Sequence, residues 1–351
     1  MLLAGEEDRI PPDEVECPAG PATEDGTDML GGYHVRIDPW EPEYEGAIQL
    51  GASEEQEAEA DLQVELGSWV AVQPSAVTPA AHLFFVDGVR RIEHRILVEA
   101  GDRTLFGLLG SFAVGATRVA AQARVVREEI RRTCVVGGGV ELATWEIRLP
   151  NGGAALRFDA TAVAENTPEA ALQGLQNSMR EHEAALAESL SAADTLVFLD
   201  GPLTFFTATK IPVVGYVKRL LRSYLPPQPA LLLRTLEVGQ RTPLFLIKDT
   251  RHHRYSWYTR IGSGRMIESS LTGIVRLETS SAICLEQVRS LADLSAALLP
   301  RFASSAGRDP RAPQNLYPIG GLENALRHKM GDTLVIRRAI EAYLHGLERS
   351  L

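Results

Sequence analysis

Two similar pentapeptides set the frame of the fold: Phe-Phe-Val-Asp-Gly at residues 84–88 and Val-Phe-Leu-Asp-Gly at residues 197–201. Each is a hydrophobic, strand-like run that ends in aspartate and glycine. If the two runs are neighbouring strands, Asp87 and Asp200 meet at the end of a sheet, where α/β folds usually bind ligands. Asp-Gly is also the commonest turn signal, so two unrelated turns remain an alternative.

Alternating apolar residues around the first pentapeptide predict an antiparallel meander. Its strands are expected over 83–86, 90–99 and 105–119, with turns at Asp87-Gly88 and 100–103. Further strands are predicted within 134–163 and over 195–199, 213–217, 231–236, 244–247, 255–261 and 273–277. Helices are predicted from Thr167-Pro168 to about Leu190, and over 285–299 and 322–347. This order predicts an α/β fold with a mixed β-sheet flanked by helices and extra β-hairpins.

The first predicted helix carries a charged residue in its apolar stripe. The stripe consists of Leu172, Leu175, Met179, Glu183, Leu186 and Leu190. An ionised carboxylate on a core-facing stripe is costly unless it is paired or binds a metal. Arg180 lies one turn earlier and could pair with Glu183; a glutamate at the stripe's margin that reaches solvent is the simpler alternative.

Asp87, Glu183 and Asp200 together form a candidate carboxylate cluster. Oxygen ligands without cysteine suit Mg²⁺ or Mn²⁺ rather than zinc. Neither His94 nor the pair at 252–253 has the spacing of metal ligands. The sequence therefore predicts a hard-cation site built from carboxylates.

The composition is that of a globular protein of 351 residues, with 45% hydrophobic and 23% charged residues. No apolar stretch approaches the length of a membrane-spanning helix, and the acidic start of the chain lacks the pattern of a signal peptide. A cytoplasmic protein is therefore expected. The three cysteines, Cys17, Cys134 and Cys284, are far apart and predict free thiols.

Charge is distributed unevenly along the chain. Residues 1–66 hold 19 Asp and Glu but only Arg9 and Arg36 as cations, a net charge of −17 within a total of −11. Residues 203–276 hold twelve Lys and Arg against three acidic residues. This asymmetry favours a polyanionic partner, although a solvated surface rich in arginine would look the same. We expect a disordered acidic leader over 1–31, an N-terminal extension packed on the body over 32–80, and the main domain over 81–351 with a basic, β-rich segment at 203–280.

The order of these motifs resembles that of the NurA family of DNA-repair nucleases. The resemblance begins with the strand that ends in Asp87-Gly88, the helix with Arg180 and Glu183, and Leu-Asp-Gly-Pro-Leu at 199–203. It continues through Gly-Tyr-Val-Lys-Arg at 215–219, Trp-Tyr-Thr-Arg at 257–260, Val-Arg-Leu-Glu at 275–278 and Tyr-Pro at 317–318. The match extends from about residue 33 to residue 345.

The resemblance implies an RNase H-like core, a homodimer, and manganese-dependent (or magnesium-dependent) DNA cleavage. It also implies partnership with the hexameric translocase HerA in resecting DNA ends. By position, Asp87, Glu183 and Asp200 are the acidic metal-site residues, and Arg180 and Tyr317 support them. The residues expected to contact DNA phosphates are Lys218, Arg219, Arg260 and Arg276.

The C-terminal helix departs from the family pattern. Where the family carries His or Asp after an alanine, this chain has Leu326, which cannot bind a metal. His328 is two positions further, about 200° round an ideal helix, so it is only a weak candidate ligand. We expect water to take this place in the metal shell.

Two other functions remain open. The departure at Leu326 is compatible with a catalytically weak or inactive adaptor subunit that binds DNA ends with the same fold. A phosphoryl-transfer enzyme acting on a small molecule is also compatible with the carboxylates. That enzyme would lack a P-loop, since no GxxxxGK[ST] motif occurs, and it would leave the basic segment unexplained.

Overall fold

The computed structural model describes residues 34–37, 59–75, 80–149, 155–192, 194–205, 212–220, 224–248, 253–264 and 268–348. The strands are β1 (His34–Ile37), β2 (Glu59–Asp61), β3 (His82–Ala100), β4 (Arg103–Val119), β5 (Ala123–Val136), β6 (Trp145–Ile147), β7 (Leu156–Ala162), β8 (Thr195–Asp200), β9 (Val213–Val217), β10 (Phe245–Lys248), β11 (Arg254–Arg260) and β12 (Ile274–Ser280). The helices are α1 (Pro168–Leu190), α2 (Pro227–Ala230), α3 (Leu232–Thr235), α4 (Leu285–Leu298), α5 (Tyr317–Lys329) and α6 (Thr333–Glu348).

One large mixed sheet organises the molecule, as the sequence predicted. The strand order is β2-β10-β11-β12-β9-β8-β3-β4-β5-β7-β6, and β1 pairs with β3. The neighbours β3 and β8, β8 and β9, and β5 and β7 are parallel, and the other pairs are antiparallel. The centre of the sheet therefore holds three parallel strands that carry both pentapeptides.

Helices cover both faces of the sheet. Side chains alternate between the faces along a strand: Phe112 of β4 packs with Leu172 and Leu175 of α1, whereas the next residue, Ala113, packs with Leu322 of α5. Helices α4 and α6 share the α5 face. We call the two sides the α1 face and the α5 face.

Three predicted elements are wrong. Residues 231–236 form the one-turn helix α3 rather than a strand, because a short apolar run does not separate the two and the prolines at 226, 227 and 229 favour a helix start. The predicted helix 322–347 is two helices, α5 and α6, separated at Gly331, whose φ is +88°. Asp87-Gly88 is not a turn, since β3 pairs continuously with β4 from Leu83 to Ala100 apart from one bulge.

The predicted N-terminal leader, residues 1–31, lies outside the described residues. Further along, β1 pairs with β3, β2 pairs with β10, and the buried Glu65 forms an ion pair with Arg241. Cys134 and Cys284 are free thiols, and burial raises the pKa of Cys134 to about 12. No described helix is long and apolar enough to cross a membrane.

Candidate metal centre

Asp87 and Asp200 lie side by side at the centre of the sheet. The parallel register of β3 and β8 pairs Val86 with Leu199, and each aspartate is the next residue along its strand. Phe85 and Phe198, two positions earlier, stack on each other on the α5 face. Alternation therefore directs both aspartates to the α5 face, and the predicted juxtaposition of the pair is confirmed.

The glycine after each aspartate leaves room for a side chain of α1 on the opposite face of the sheet. Oε1 of Glu183, on α1, occupies the space that a Cβ on Gly88 would fill. Gly201 has a φ of +107°, and Nη1 of Arg180 lies 2.8 Å from where its Cβ would be. The two Asp-Gly pairs thus place carboxylates on one face and admit an ion pair from α1 on the other.

A third carboxylate, from Glu323 on α5, completes the group on the α5 face. Asp87, Asp200 and Glu323 each offer an oxygen that lies within 4.8 Å of the others. Glu323 is buried, so a protein carboxylate joins the aspartates where the sequence analysis expected water. The signal was present: Glu323 lies four residues after the buried Ile319, on the inner side of an amphipathic helix, as Glu183 does in α1.

Glu183 lies beside this trio rather than within it. It is fully buried on α1, and its Oε2 accepts a hydrogen bond of 2.8 Å from Arg180. Nη1 of the same arginine also donates to the backbone carbonyl of Asp200. Among the described residues, Oε1 of Glu183 has no hydrogen-bond partner, and neither does Oδ1 of Asp200. Of the predicted cluster Asp87, Glu183 and Asp200, the two aspartates lie together with Glu323, and Glu183 lies behind them on α1.

Burial and repulsion between neighbouring carboxylates shift the pKa values of two of these groups. Burial, followed by repulsion from Asp200 and Glu183, raises the pKa of Asp87 well above its ordinary value. Burial also raises the pKa of Glu183 to about 7, although Arg180 opposes the shift. A buried polar group without a partner is costly, so a cation beside the unpartnered Oδ1 of Asp200 would stabilise it.

Lys218 is the cation closest to the aspartates on the α5 face. Its Nζ lies 2.6 Å from Oδ2 of Asp200 and donates to Oδ1 of Asn315 at 3.2 Å. Burial alone would lower its pKa, but Asp200 and Asp87 raise it. Lys218 therefore stays charged inside the site.

The other predicted DNA-contact residues differ in their exposure to solvent. Arg219 is exposed. Arg260 is buried and donates to the backbone carbonyls of residues 233, 236, 270 and 272. Arg276 is also buried, bonded to Glu278 and stacked on Tyr224. Arg260 and Arg276 thus stabilise the interior, and the expectation that they reach DNA is corrected.

The C-terminal candidates lie outside the trio. Leu326 is buried with Leu322 and Met330 in one hydrophobic cluster. His328 is exposed. Tyr317 is exposed at the start of α5, where its hydroxyl donates to Ser305.

The donor set fits a hard divalent cation. Carboxylate oxygens are the ligands that Mg²⁺ and Mn²⁺ prefer, and the unpartnered Oδ1 of Asp200 is a buried group that a cation at the trio would satisfy. Asp87, Asp200 and Glu323 could therefore bind a metal ion.

A family model for the NurA domain matches residues 173–326. This stretch of the chain is similar to the NurA domain. The family resemblance is confirmed over these residues, which include Glu183, Asp200, Lys218 and Glu323. The chain is similar to the NurA nuclease from Sulfolobus solfataricus, with 10% identity, a TM-score of 0.43, and coverage of 81% of this chain and 88% of that one. No curated protein sequence matches the chain.

Proposed function

We propose that this protein is a deoxyribonuclease that requires Mn²⁺ or Mg²⁺ and hydrolyses phosphodiester bonds at DNA ends. The observation that carries the proposal is the trio Asp87, Asp200 and Glu323, three carboxylates within 4.8 Å of one another inside the molecule. Asp87 and Glu323 are buried, and buried carboxylates are costly unless they are paired or bind a cation.

The residues divide the chemistry between the two faces of the sheet. On the α5 face the trio would hold the ion, which would supply a nucleophilic water and Lewis-acid stabilisation of the phosphoryl oxygens. Lys218 can pass from Asp200 to a phosphate oxygen, because its ammonium already lies at the trio. On the α1 face Arg180 fixes the end of β8 through the carbonyl of Asp200 and orients Glu183. Glu183 adds a fourth carboxylate on the α1 side of the sheet, behind the trio.

The similarity of residues 173–326 to the NurA domain supports a wider proposal. The proposal includes an RNase H-like core in the domain over 81–351, an acidic N-terminal extension packed on it, a homodimer, and a cytoplasmic location. It also includes a HerA-type hexameric ATPase as the partner with which the nuclease resects the ends of DNA double-strand breaks.

The test is cleavage of linear duplex DNA by the purified full chain in Mn²⁺, with Asp87→Asn, Asp200→Asn and Glu323→Gln as variants. Metal catalysis contributes several kcal/mol, and about 1.4 kcal/mol is a tenfold change in rate. Each variant should therefore lose at least about a hundredfold. Asp159→Asn, an aspartate on β7 paired with Arg157, is the matched control and should keep the parent rate.

The nuclease proposal fails if the parent cuts DNA equally well in EDTA, or if folded Asp87→Asn and Asp200→Asn variants cut at the parent rate. An adaptor that only binds DNA ends is the second candidate, favoured by Leu326 at the family's ligand position. The carboxylate of Glu323 beside the aspartates weighs against it. DNA binding without cleavage in Mn²⁺, alone and with the translocase, would identify the adaptor.

A further inference from the structure

Two arginines meet at the carboxylate of Glu323. Nη1 and Nη2 of Arg311, in the segment before α5, lie 3.4 and 3.3 Å from the two oxygens of Glu323. Nη2 of Arg327, one turn further along α5, lies 3.1 Å from Oε2. Both arginine side chains are 55% exposed, whereas Glu323 is buried. The pair therefore lies where the trio opens to solvent.

These arginines have hydrogen-bonding capacity to spare. A guanidinium has five N–H donors in a planar fork. Arg327 uses one nitrogen on Glu323, and Arg311 uses two there and one on Asp309 at 3.4 Å. Lys218 and Arg180, by contrast, are 19% and 26% exposed and face the carboxylates. The exposed cations next to the trio are thus the ones with unused donors.

A polar network ties Arg311 to Lys218. Lys218 donates to Asn315, Asn315 donates to Asp309, and Asp309 accepts from the backbone N–H and the side chain of Arg311. The segment before α5 is thereby held so that its arginine and the lysine after β9 lie on the same side of the trio. The cations are ordered before any ligand arrives, which lowers the entropic cost of binding.

A DNA strand must bring its phosphates to a site that is rich in carboxylates. That approach is repulsive unless cations flank the path of the backbone, and paired arginines match the geometry of phosphate oxygens. We propose that Arg311 and Arg327 form a phosphate-binding site for the DNA backbone next to the acidic trio, with Glu323 holding both arginines until a phosphate replaces it. This inference rests on the proposed function, because it assigns the DNA contacts of the same site.

The test measures DNA binding without cleavage. Fluorescence anisotropy of a labelled oligonucleotide duplex is recorded in EDTA over a series of salt concentrations, with the full chain and with Arg311→Gln, Arg327→Gln and the double variant. Each lost phosphate contact should flatten the slope of log affinity against log salt by about one unit, and the double variant by about two. Arg157→Gln, an exposed arginine on β7 with its own carboxylate partner, is the control and should keep the parent slope.

Glu323→Gln separates phosphate binding from mere support of Glu323. If the arginines bind DNA, removal of their carboxylate frees them, so affinity at low salt should rise and the slope should not flatten. If the arginines only position Glu323, the variants Arg311→Gln, Arg327→Gln and Glu323→Gln should change DNA affinity and its salt dependence in the same way. Should Arg327→Gln fail to fold in circular dichroism, Arg311→Gln decides the matter, because its side chain is exposed and lies outside the helices.

Two results overturn the inference: a folded double variant with the parent slope, or a Glu323→Gln variant that loses affinity as the arginine variants do. Neither result depends on catalysis. If the protein cuts DNA in Mn²⁺ but the arginine substitutions do not change DNA binding, the nuclease proposal stands and the phosphate-binding site is ruled out. If the substitutions flatten the salt dependence but the protein does not cut DNA, the phosphate-binding site is supported and the nuclease proposal is ruled out.

Discussion

Among the described residues Glu93, Glu183 and Glu278 are fully buried, and the surroundings of Glu183 and Glu278 are opposite. Glu278 on β12 accepts bonds from the backbone N–H of Leu203, from Arg276 and from Arg254. Burial alone would raise its pKa, but these partners hold the pKa below its ordinary value. Glu183 on α1 has Arg180 as its ion-pair partner and feels the repulsion of Asp200, and its pKa is raised to about 7.

The balance of charge, more than burial itself, distinguishes the two regions. Around Glu278 two cations meet one carboxylate, and the cluster has the character of a structural ion network. Around Glu183, burial and the negative charge of Asp200 both raise the pKa, and Arg180 does not fully offset them. Strongly perturbed groups of this second kind mark functional sites, which is why we assign the chemistry there.

The largest expected effect separates the two glutamates by stability. Glu278→Gln leaves Arg276 and Arg254 buried without their counter-charge, and breaking such a pair costs about 3–5 kcal/mol. Glu183→Gln relieves crowding among carboxylates, so without metal at pH 8 the free energy of unfolding should be unchanged or higher. Urea denaturation of both variants in EDTA makes the comparison. Equal losses in the two variants would show that Glu183 is as structural as Glu278.

A second test uses the glycine that admits Glu183 to the sheet. A methyl group at position 88 would meet Oε1 of Glu183 and would lie 3.0 Å from Cγ of Met179. Such overpacking costs about 1–3 kcal/mol, so Gly88→Ala should be destabilised by that amount and should bind Mn²⁺ more weakly. Gly67→Ala is the control, since no atom lies within 4 Å of its added Cβ. If Gly88→Ala has the same stability and Mn²⁺ affinity as this control, the side chain of Glu183 does not pack against Gly88 of β3.

The two glutamates should also respond to pH in opposite directions. The pKa of Glu183 rises on folding from its ordinary 4.5 to about 7, so its contribution to stability is complete below pH 4.5 and is lost as the pH rises through 7. The loss is at most about 1.4 kcal/mol per pH unit for one proton. Glu278 contributes stability above its ordinary pKa and loses it in acid.

Denaturation in EDTA between pH 5 and 8 measures the first effect, and Glu183→Gln should flatten the profile. Asp87, whose pKa is also raised, contributes to the same slope. A parent protein whose stability rises steadily across this range would contradict the raised pKa values of Glu183 and Asp87.

The fold was predictable wherever a long pattern repeats. Helix α1 extends over the predicted residues because Thr167 caps it and its apolar stripe is continuous. Asp87-Gly88 was misjudged as a turn, because a sequence does not show that its glycine makes room for a side chain from another element. The break at Gly331 was equally hidden, since apolar spacing continues on both sides of it.

The site was predictable in part. Motifs indicate Asp87 and Asp200, and a charge on an apolar stripe indicates Glu183. Glu323 carries the same stripe signal four residues after Ile319, but its position beside the aspartates depends on the packing of α5 against β3. The positive charge of residues 203–276 does not by itself locate DNA contacts, because a count of arginines does not show which of them are buried. Arg260 and Arg276 lie inside the protein, and the exposed cations beside the trio, Arg311 and Arg327, lie outside that segment.

The smallest expected effect concerns His328. It is exposed near the end of α5, about 200° round the helix from Leu326, whereas Glu323 is buried and faces the aspartates. His328→Ala should therefore change Mn²⁺ affinity and cleavage rate by no more than about twofold, the range of a surface substitution of about 0.5 kcal/mol. Calorimetric titration of Mn²⁺ into His328→Ala and Glu323→Gln compares the two positions. If the alanine variant loses more than tenfold in affinity and the glutamine variant loses nothing, the helix delivers a histidine to the metal and the acidic trio is not its site.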